Sequence, residues 1–409
     1  MTESTDRLLV DWLSEGPDRG PVESLERALA ATRRTSQRPG WAIPERWIPM
    51  QLTMRPALSP RPYVIFLAAL LLIVAAGALF VIGSQRRAAP PFGLAANGSI
   101  MIGVDSQLWL ASFDGAEAKP LNIGLGEVMS PVFSPDGTKV AFMARPAERT
   151  PYALFVANAD GSEARSVTGD MRVVTSELAG IAWSPDSSSL VFQSSDKGRN
   201  RLYRVGVDGT GLEAITDRDA DRAYPSWSPD GKWLSYKLTV IDGGWSTHLA
   251  IARPDGTGEQ RLVSETSSKA AFSGSVWMID SEGIVYFRSS SSGHSVARVD
   301  LDGNETLLSR PDVENAYNPA LSPDGRRVAF GLESGAAIVD LDDPSSRVDL
   351  PTGLAECGAV WSPDGTILLG FGFDCTELYR IPLDNPAAAE RIAVPPGSLN
   401  NGSWQRLAP

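Results

Sequence analysis

The chain has 409 residues, 43% hydrophobic and 21% charged, which excludes an intrinsically disordered protein and leaves room for two or three domains. A net charge of −12 argues against the basic face that a phosphate backbone requires, so nucleic acid is set aside as a partner. Only two His and two Cys occur, and a zinc site of the usual Cys/His kind would need nearly all of them in one place.

Residues 1–62 differ from the rest. Thr5 suits the cap of a short helix with Leu8, Leu9, Trp12 and Leu13 on one face, ended by Gly16-Pro17. A second helix reads from Pro21, with Val22, Leu25, Leu29 and Thr32 at helical spacing and Arg33-Arg34 near its C-terminus. Each apolar stripe is too small for a core of its own, so the pair packs together, on a membrane surface or on a partner, or else forms a marginally ordered tail. A proline-rich approach with Trp41 and Trp47 follows.

Residues 63–82 carry no charge and are dominated by Leu, Ala, Ile and Val. As a helix this run is about 30 Å long, the thickness of a hydrocarbon core. A membrane span over residues 63–83 is expected, with Pro62 at its start and Gly83 at its end. Arg46, Arg55 and Arg61 before it against Arg86 and Arg87 after it favour a cytoplasmic N-terminus by a narrow margin. The expected localisation is the cell membrane, single-pass, with everything after the span outside the cytoplasm. Residues 84–96 read as a stiff spacer of small residues and Pro.

From residue 97 a motif repeats. Trp361-Ser362-Pro363-Asp364-Gly365 has near-copies at Phe133, Trp183, Trp227 and Leu321, with looser ones at Trp277 and Trp404. Pro fixes φ and Asp-Gly tolerates the conformations that follow, so each copy is a tight turn between two strands. At Trp277 the run Met278-Ile279-Asp280-Ser281-Glu282-Gly283 departs from the pattern, and a longer turn is expected there. The markers recur with a period in the mid-forties, that of four-stranded propeller blades. Asp-Gly pairs at 160, 208, 255 and 302 mark further hairpin turns. Residues 98–122 supply three strands of a blade without its first, and residues 402–405 supply that first strand alone. The fold class is therefore all-β, a seven-bladed propeller over residues 97–409 closed by a split blade, which leaves no long open edge.

These Trp-Ser-Pro-Asp-Gly units, with Asn158-Ala159-Asp160-Gly161-Ser162 between strands, resemble the repeats of the TolB-type β-propeller family. The resemblance implies binding of partner proteins or peptides in the central channel or on one face. Related propellers stand in front of serine peptidase domains.

Candidate chemistry is sparse. A Ser-His-Asp hydrolase needs a His beside its nucleophile, and only His248, within a strand, and His294, just before one, are present; no Gly-x-Ser-x-Gly elbow precedes a helix. No catalytic residue and no cofactor is assigned. Asp217, Asp219 and Asp221 alternate as in a Ca²⁺ loop, but Arg222 stands where the loop needs Gly and Ser228 where it needs Glu, so a solvated acidic loop is preferred. Cys357 starts one strand and Cys375 follows the next, a placement suited to a disulfide in an oxidising compartment, with two buried thiols as the alternative. Loops entering the first strands crowd the channel mouth, where Asp219, Arg222, Tyr224, Glu314, Tyr317 and Asn318 gather, with Asp374 nearby.

The leading expectation is a membrane-anchored, non-catalytic propeller that binds or scaffolds a protein or peptide. The alternative is a transmembrane sensor whose residues 1–38 act in the cytoplasm. That plan resembles transmembrane anti-sigma factors in topology alone, since residues 1–62 hold neither His nor Cys for their zinc motif.

Overall fold

The structure is a computed structural model that describes residues 91–408 apart from 174–179, 197, 242–243, 266–270, 291–292, 311–313 and 396. The expected N-terminal helices, the span over 63–83 and most of the spacer lie outside the described residues. The chain divides into two units, Met1–Gln85 and Arg86–Pro409. Among the described residues no helix is long and apolar enough to cross a membrane.

The second unit is a seven-bladed propeller of four-stranded antiparallel sheets. Six blades are continuous in sequence, and we number them two to seven. Their innermost strands are Glu127–Phe133, Ile181–Trp183, Asp221–Trp227, Ala271–Trp277, Ala316–Leu321 and Gly358–Trp361. Blade one is split as expected: the closing strand Leu399–Leu407 pairs antiparallel with Ala96–Val104, Trp404 opposite Ile100. Closure is tight at Gly137, where an added Cβ would stand 1.8 Å from the Arg406 carbonyl oxygen, and its φ of +70° suits glycine.

The core lies between blades. Seven apolar clusters occupy the seven contacts between neighbours. The cluster joining blades two and three, for example, packs Met143 and Val156 with Trp183 and Phe192. No blade buries both faces by itself, so each depends on its neighbours.

The repeated turn has one internal wiring. In the copy at Ser362, the serine hydroxyl donates to Asp364 Oδ1 at 2.7 Å and accepts from the Ile367 N–H at 3.0 Å. Asp364 Oδ1 also accepts the Thr366 N–H at 3.0 Å, and Gly365 closes the turn onto the Ser362 carbonyl. The turn after Trp277 is not longer, contrary to expectation. Ser281 occupies the glycine place at φ 63° and donates its N–H to the Met278 carbonyl, while Met278 pairs with Gly283. Ser187 does the same after Trp183. Both serines also tie blades together: the Ser187 hydroxyl accepts the Asp136 N–H and the Ser281 hydroxyl accepts the Asp230 N–H.

The motif tryptophans act across blades as well. Indole Nε1 of Trp183, Trp277 and Trp361 donates to the carbonyls of Val132, Ser226 and Ala320 on the preceding inner strand, at 2.9–3.1 Å. In Trp227 and Trp404 this nitrogen is buried without a partner among the described residues.

Candidate functional site

Every inner strand begins at one end of the channel, the loop end, and finishes at the other in the repeated turn, the turn end. Three residues before the marker, Ser130, Tyr224, Gly274 and Asn318 adopt left-handed φ values of 55°, 56°, 60° and 50°. At each the pairing with the second strand skips, a β-bulge. Pro131, Pro225 and Pro319 follow three of them. The inner strand is the free edge of its sheet, and a proline there offers no donor to a stray strand. A residue before proline normally avoids helical backbone, so Tyr224 and Asn318 are held in place by neighbours. The Tyr224 N–H donates to Gln193 Oε1 of blade three at 3.0 Å. Asn318 Nδ2 donates to the Cys357 carbonyl at 2.9 Å.

Beyond the bulges the channel holds a cavity of about 630 Å³. All seven blades line it at one equivalent position, through Val132, Ala182, Ser226, Val276, Ala320, Val360 and Ser403. These side chains are small, so the ring leaves space on the axis. The mouth at the turn end is formed by Pro135, Ile279, Pro323 and Pro363 from the turns, with Phe92 and Arg406. No Asp or Glu is among the lining residues, and Arg406 is the one charged side chain there. Arg406 Nη2 donates to the Gly93 carbonyl at 2.6 Å, and burial lowers its pKa. A second cavity of about 400 Å³ lies between Asp105 and Val128.

Of the seven residues expected at the channel mouth, Tyr224 lines the cavity. Arg222, Tyr224, Tyr317 and Asn318 stand on inner strands and not in entry loops. Arg222 is 6% exposed and fully engaged: Nε donates to Glu259 Oε2 at 2.9 Å, and Nη1 to Asp219 Oδ1 at 2.8 Å. The Tyr236 hydroxyl donates to the same Glu259 oxygen at 2.7 Å. Burial alone would lower the Arg222 pKa, but the bonds to Asp219 and Glu259 outweigh it and raise it. Glu314 accepts from the Arg347 guanidinium and from the Arg310 N–H, both at 2.8 Å. Burial opposes its ionisation, yet those bonds hold its carboxyl below the ordinary range. Tyr317 packs against Gly331, where a Cβ would come within 3.0 Å of its ring. Asp374 is exposed, with φ 56°, in a 3-10 turn.

The alternating carboxylates diverge. Asp219 faces Arg222, whereas Asp221 accepts the Asn200 N–H at 2.8 Å and lies 3.9 Å from Arg199. Asp217 takes part through its backbone carbonyl, which accepts from Arg222 Nη1 at 3.3 Å. Among the described residues no group of three potential metal ligands occurs. His248 is buried, and its two ring nitrogens meet the hydroxyls of Ser264 and Ser246 at 2.8 and 3.1 Å. Burial lowers its pKa. His294 stacks on Phe287. Cys357 and Cys375 are joined in a disulfide, Cα to Cα 5.6 Å, at the loop end of blade seven.

Missed by the sequence reading were the cavity ring and the bulges. The signal lay in the repeat itself: the small residue before each marker, and Pro two residues before it in Pro131, Pro225 and Pro319.

The family model described as the TolB beta propeller domain matches residues 102–341. Among curated proteins, the Tol-Pal system protein TolB of Francisella tularensis is 24% identical over 249 residues, 57% of this chain and 55% of that protein. Dipeptidyl-peptidase 5 of Porphyromonas endodontalis is 31% identical over 131 residues, 31% of this chain and 18% of the relative. The chain thus spans less than two thirds of the curated relatives it matches. A solved puromycin-hydrolyzing peptidase of Mycobacterium tuberculosis shares the fold, with TM-score 0.56, 14% identity and coverage of 75% of this chain and 53% of that one.

Proposed function

The chain belongs to the TolB beta propeller domain family, and from that premise we propose that it is a binding propeller whose channel takes an extended protein or peptide segment entering at the turn end. One observation carries this reading: a 630 Å³ cavity on the axis, lined by all seven blades, apolar, and rimmed by Pro and aromatic side chains. Such a lining suits a segment that buries apolar side chains along its length, with Ser226, Ser275 and Ser403 as polar guides. A non-catalytic role is favoured by His248, whose ring is engaged by two hydroxyls away from the cavity lining. In this proposal residues 63–83 anchor the chain in the cell membrane with the N-terminus cytoplasmic and the propeller outside. The disulfide suits an oxidising compartment.

The amphipathic pattern of residues 1–38 favours a second reading, a transmembrane regulator whose propeller senses an external partner. Deleting residues 1–38 separates the two. A scaffold keeps its partner and its phenotype, whereas a regulator keeps the partner and loses a cytoplasmic effect.

The channel reading is tested by filling the cavity. Ser226→Trp and Val276→Trp are expected to abolish recovery of the partner by affinity purification while leaving the melting transition in place. Unchanged recovery, together with loss on substituting Asp374 at the loop end, would place binding elsewhere.

A further inference from the structure

We propose that the segment entering the channel carries a carboxylate, and that Lys237, standing over the ring of Tyr224, is the group that receives it; this rests on the channel reading above. Lys237 lies on the second strand of blade four, Leu234–Ile241, opposite Ala223 of the inner strand. Its ammonium sits 5.6 Å from the centroid of the Tyr224 ring, and Tyr224 lines the cavity. The side chain is half-buried, and among the described residues no carboxylate forms an ion pair with it. The nearest carboxylate influence, Asp221, is directed at Arg199 and the Asn200 N–H. Removing an ammonium from water without an anion is unfavourable, and a cation–π contact compensates only in part. Burial accordingly holds the Lys237 pKa below the ordinary lysine value, with Asp221 pulling weakly the other way.

Two further observations point the same way. The protein carries 49 acidic residues against 37 Lys and Arg, yet its cavity lining contains no acid. A carboxylate entering the channel therefore meets no like charge at the wall. Tyr224 also holds a left-handed backbone immediately before Pro225, pinned by Gln193. Blade five fills the equivalent bulge with Gly274, so the fold itself does not demand a tyrosine there. Backbone strain of this kind persists where the side chain has work to do. Here the ring orients the ammonium and offers an apolar face to whatever lies beside it.

The test uses the full chain and three probe peptides: N-acetyl-Pro-Leu-Phe as the free acid, the same peptide as its C-terminal amide, and N-acetyl-Pro-Glu-Phe-amide. Binding is followed by the fluorescence of the tryptophans around the cavity. At least one acidic peptide is expected to bind about tenfold or more tightly than the neutral amide, the scale of a charge-assisted hydrogen bond. Which one does so tells a chain-end carboxylate from a side-chain one. Lys237→Gln should reduce that preference to parity without weakening the neutral peptide, and Lys237→Arg should retain it. Equal binding of all three peptides, or a preference that survives Lys237→Gln, overturns the carboxylate site and leaves the channel reading standing. If no probe perturbs the fluorescence, the channel reading fails and the site fails with it.

Discussion

The two ends of the channel use the same strands to opposite effect. At the turn end one five-residue turn recurs, and its polar groups are consumed within the turn or across to the neighbouring blade. Ser362 and Asp364 satisfy each other and the turn's N–H groups, while Asn97 bonds both the Asp364 N–H and its carboxylate. What remains at the mouth is Pro, Ile and aromatic surface around an open axis. At the loop end each segment differs, and its charges are paired locally: Arg222 with Asp219 and Glu259, Arg347 with Glu314 and Asp349, Glu127 with Arg145 and Tyr152. Visible polarity therefore marks the end that locks blades together, and regularity marks the end that builds a cavity.

Several substitutions test that division, beginning with the largest effect. Gly137→Ala drives a Cβ into the Arg406 carbonyl where the ring closes at the turn end. Chemical denaturation should show a loss of roughly 4 kcal/mol or more, or no folded ring at all. Cys357→Ser with Cys375→Ser opens a cross-link 18 residues apart at the loop end, with an expected loss of about 3 kcal/mol. Reductant should produce the same shift in the wild type and none in the double variant.

The tryptophan staples give an internal control. Trp361→Phe strands the Ala320 carbonyl and should cost about 1–2 kcal/mol beyond the lost ring area. Trp227→Phe removes an indole nitrogen that had no partner, and its destabilisation should be smaller. If both variants melt alike, the staples contribute nothing of their own. At Ser281, alanine loses the bond to the Asp230 N–H and keeps the left-handed strain, whereas glycine loses the bond and relieves the strain. Ser281→Ala should therefore be the less stable by about 1 kcal/mol.

The smallest effect is in pH. Burial opposes ionisation of Asp230, Asp324 and Asp364, but the Ser hydroxyls and turn N–H groups prevail and lower each below the ordinary 3.8. Glu314 is likewise held below 4.5. A folded pKa lower than the unfolded one gives stability that is present above the unfolded value and lost as pH falls through the folded one. Melting temperature should thus be flat above about pH 5 and decline below about pH 4, less steeply in Asp364→Asn.

Much of this fold was legible because it is written in repetition. Period, turn chemistry and the split blade follow from Phe133 to Trp404 without reference to contacts. The proximity of Cys357 and Cys375 was also readable, since one hairpin separates them. The loop-end charges were misjudged as a site because their partners are remote: Glu259 lies 37 residues from Arg222, and Arg347 lies 33 from Glu314. No local pattern announces such a pair. The Ser281 turn looked irregular because sequence shows a missing glycine and not the Asp230 N–H that its hydroxyl accepts. The cavity escaped notice because it comes from small residues at one register position, which individually resemble any edge strand.

The most direct test of the account places a photo-activated cross-linking residue at Ser226, within the channel, and separately at Asp374, at the loop end. Capture should be followed by peptide-level mapping in the native envelope. The account predicts that the Ser226 position captures one short stretch of a partner, with capture lost on Val276→Trp, and that the Asp374 position captures little. Reproducible capture of a partner from Asp374 with none from Ser226 would contradict it.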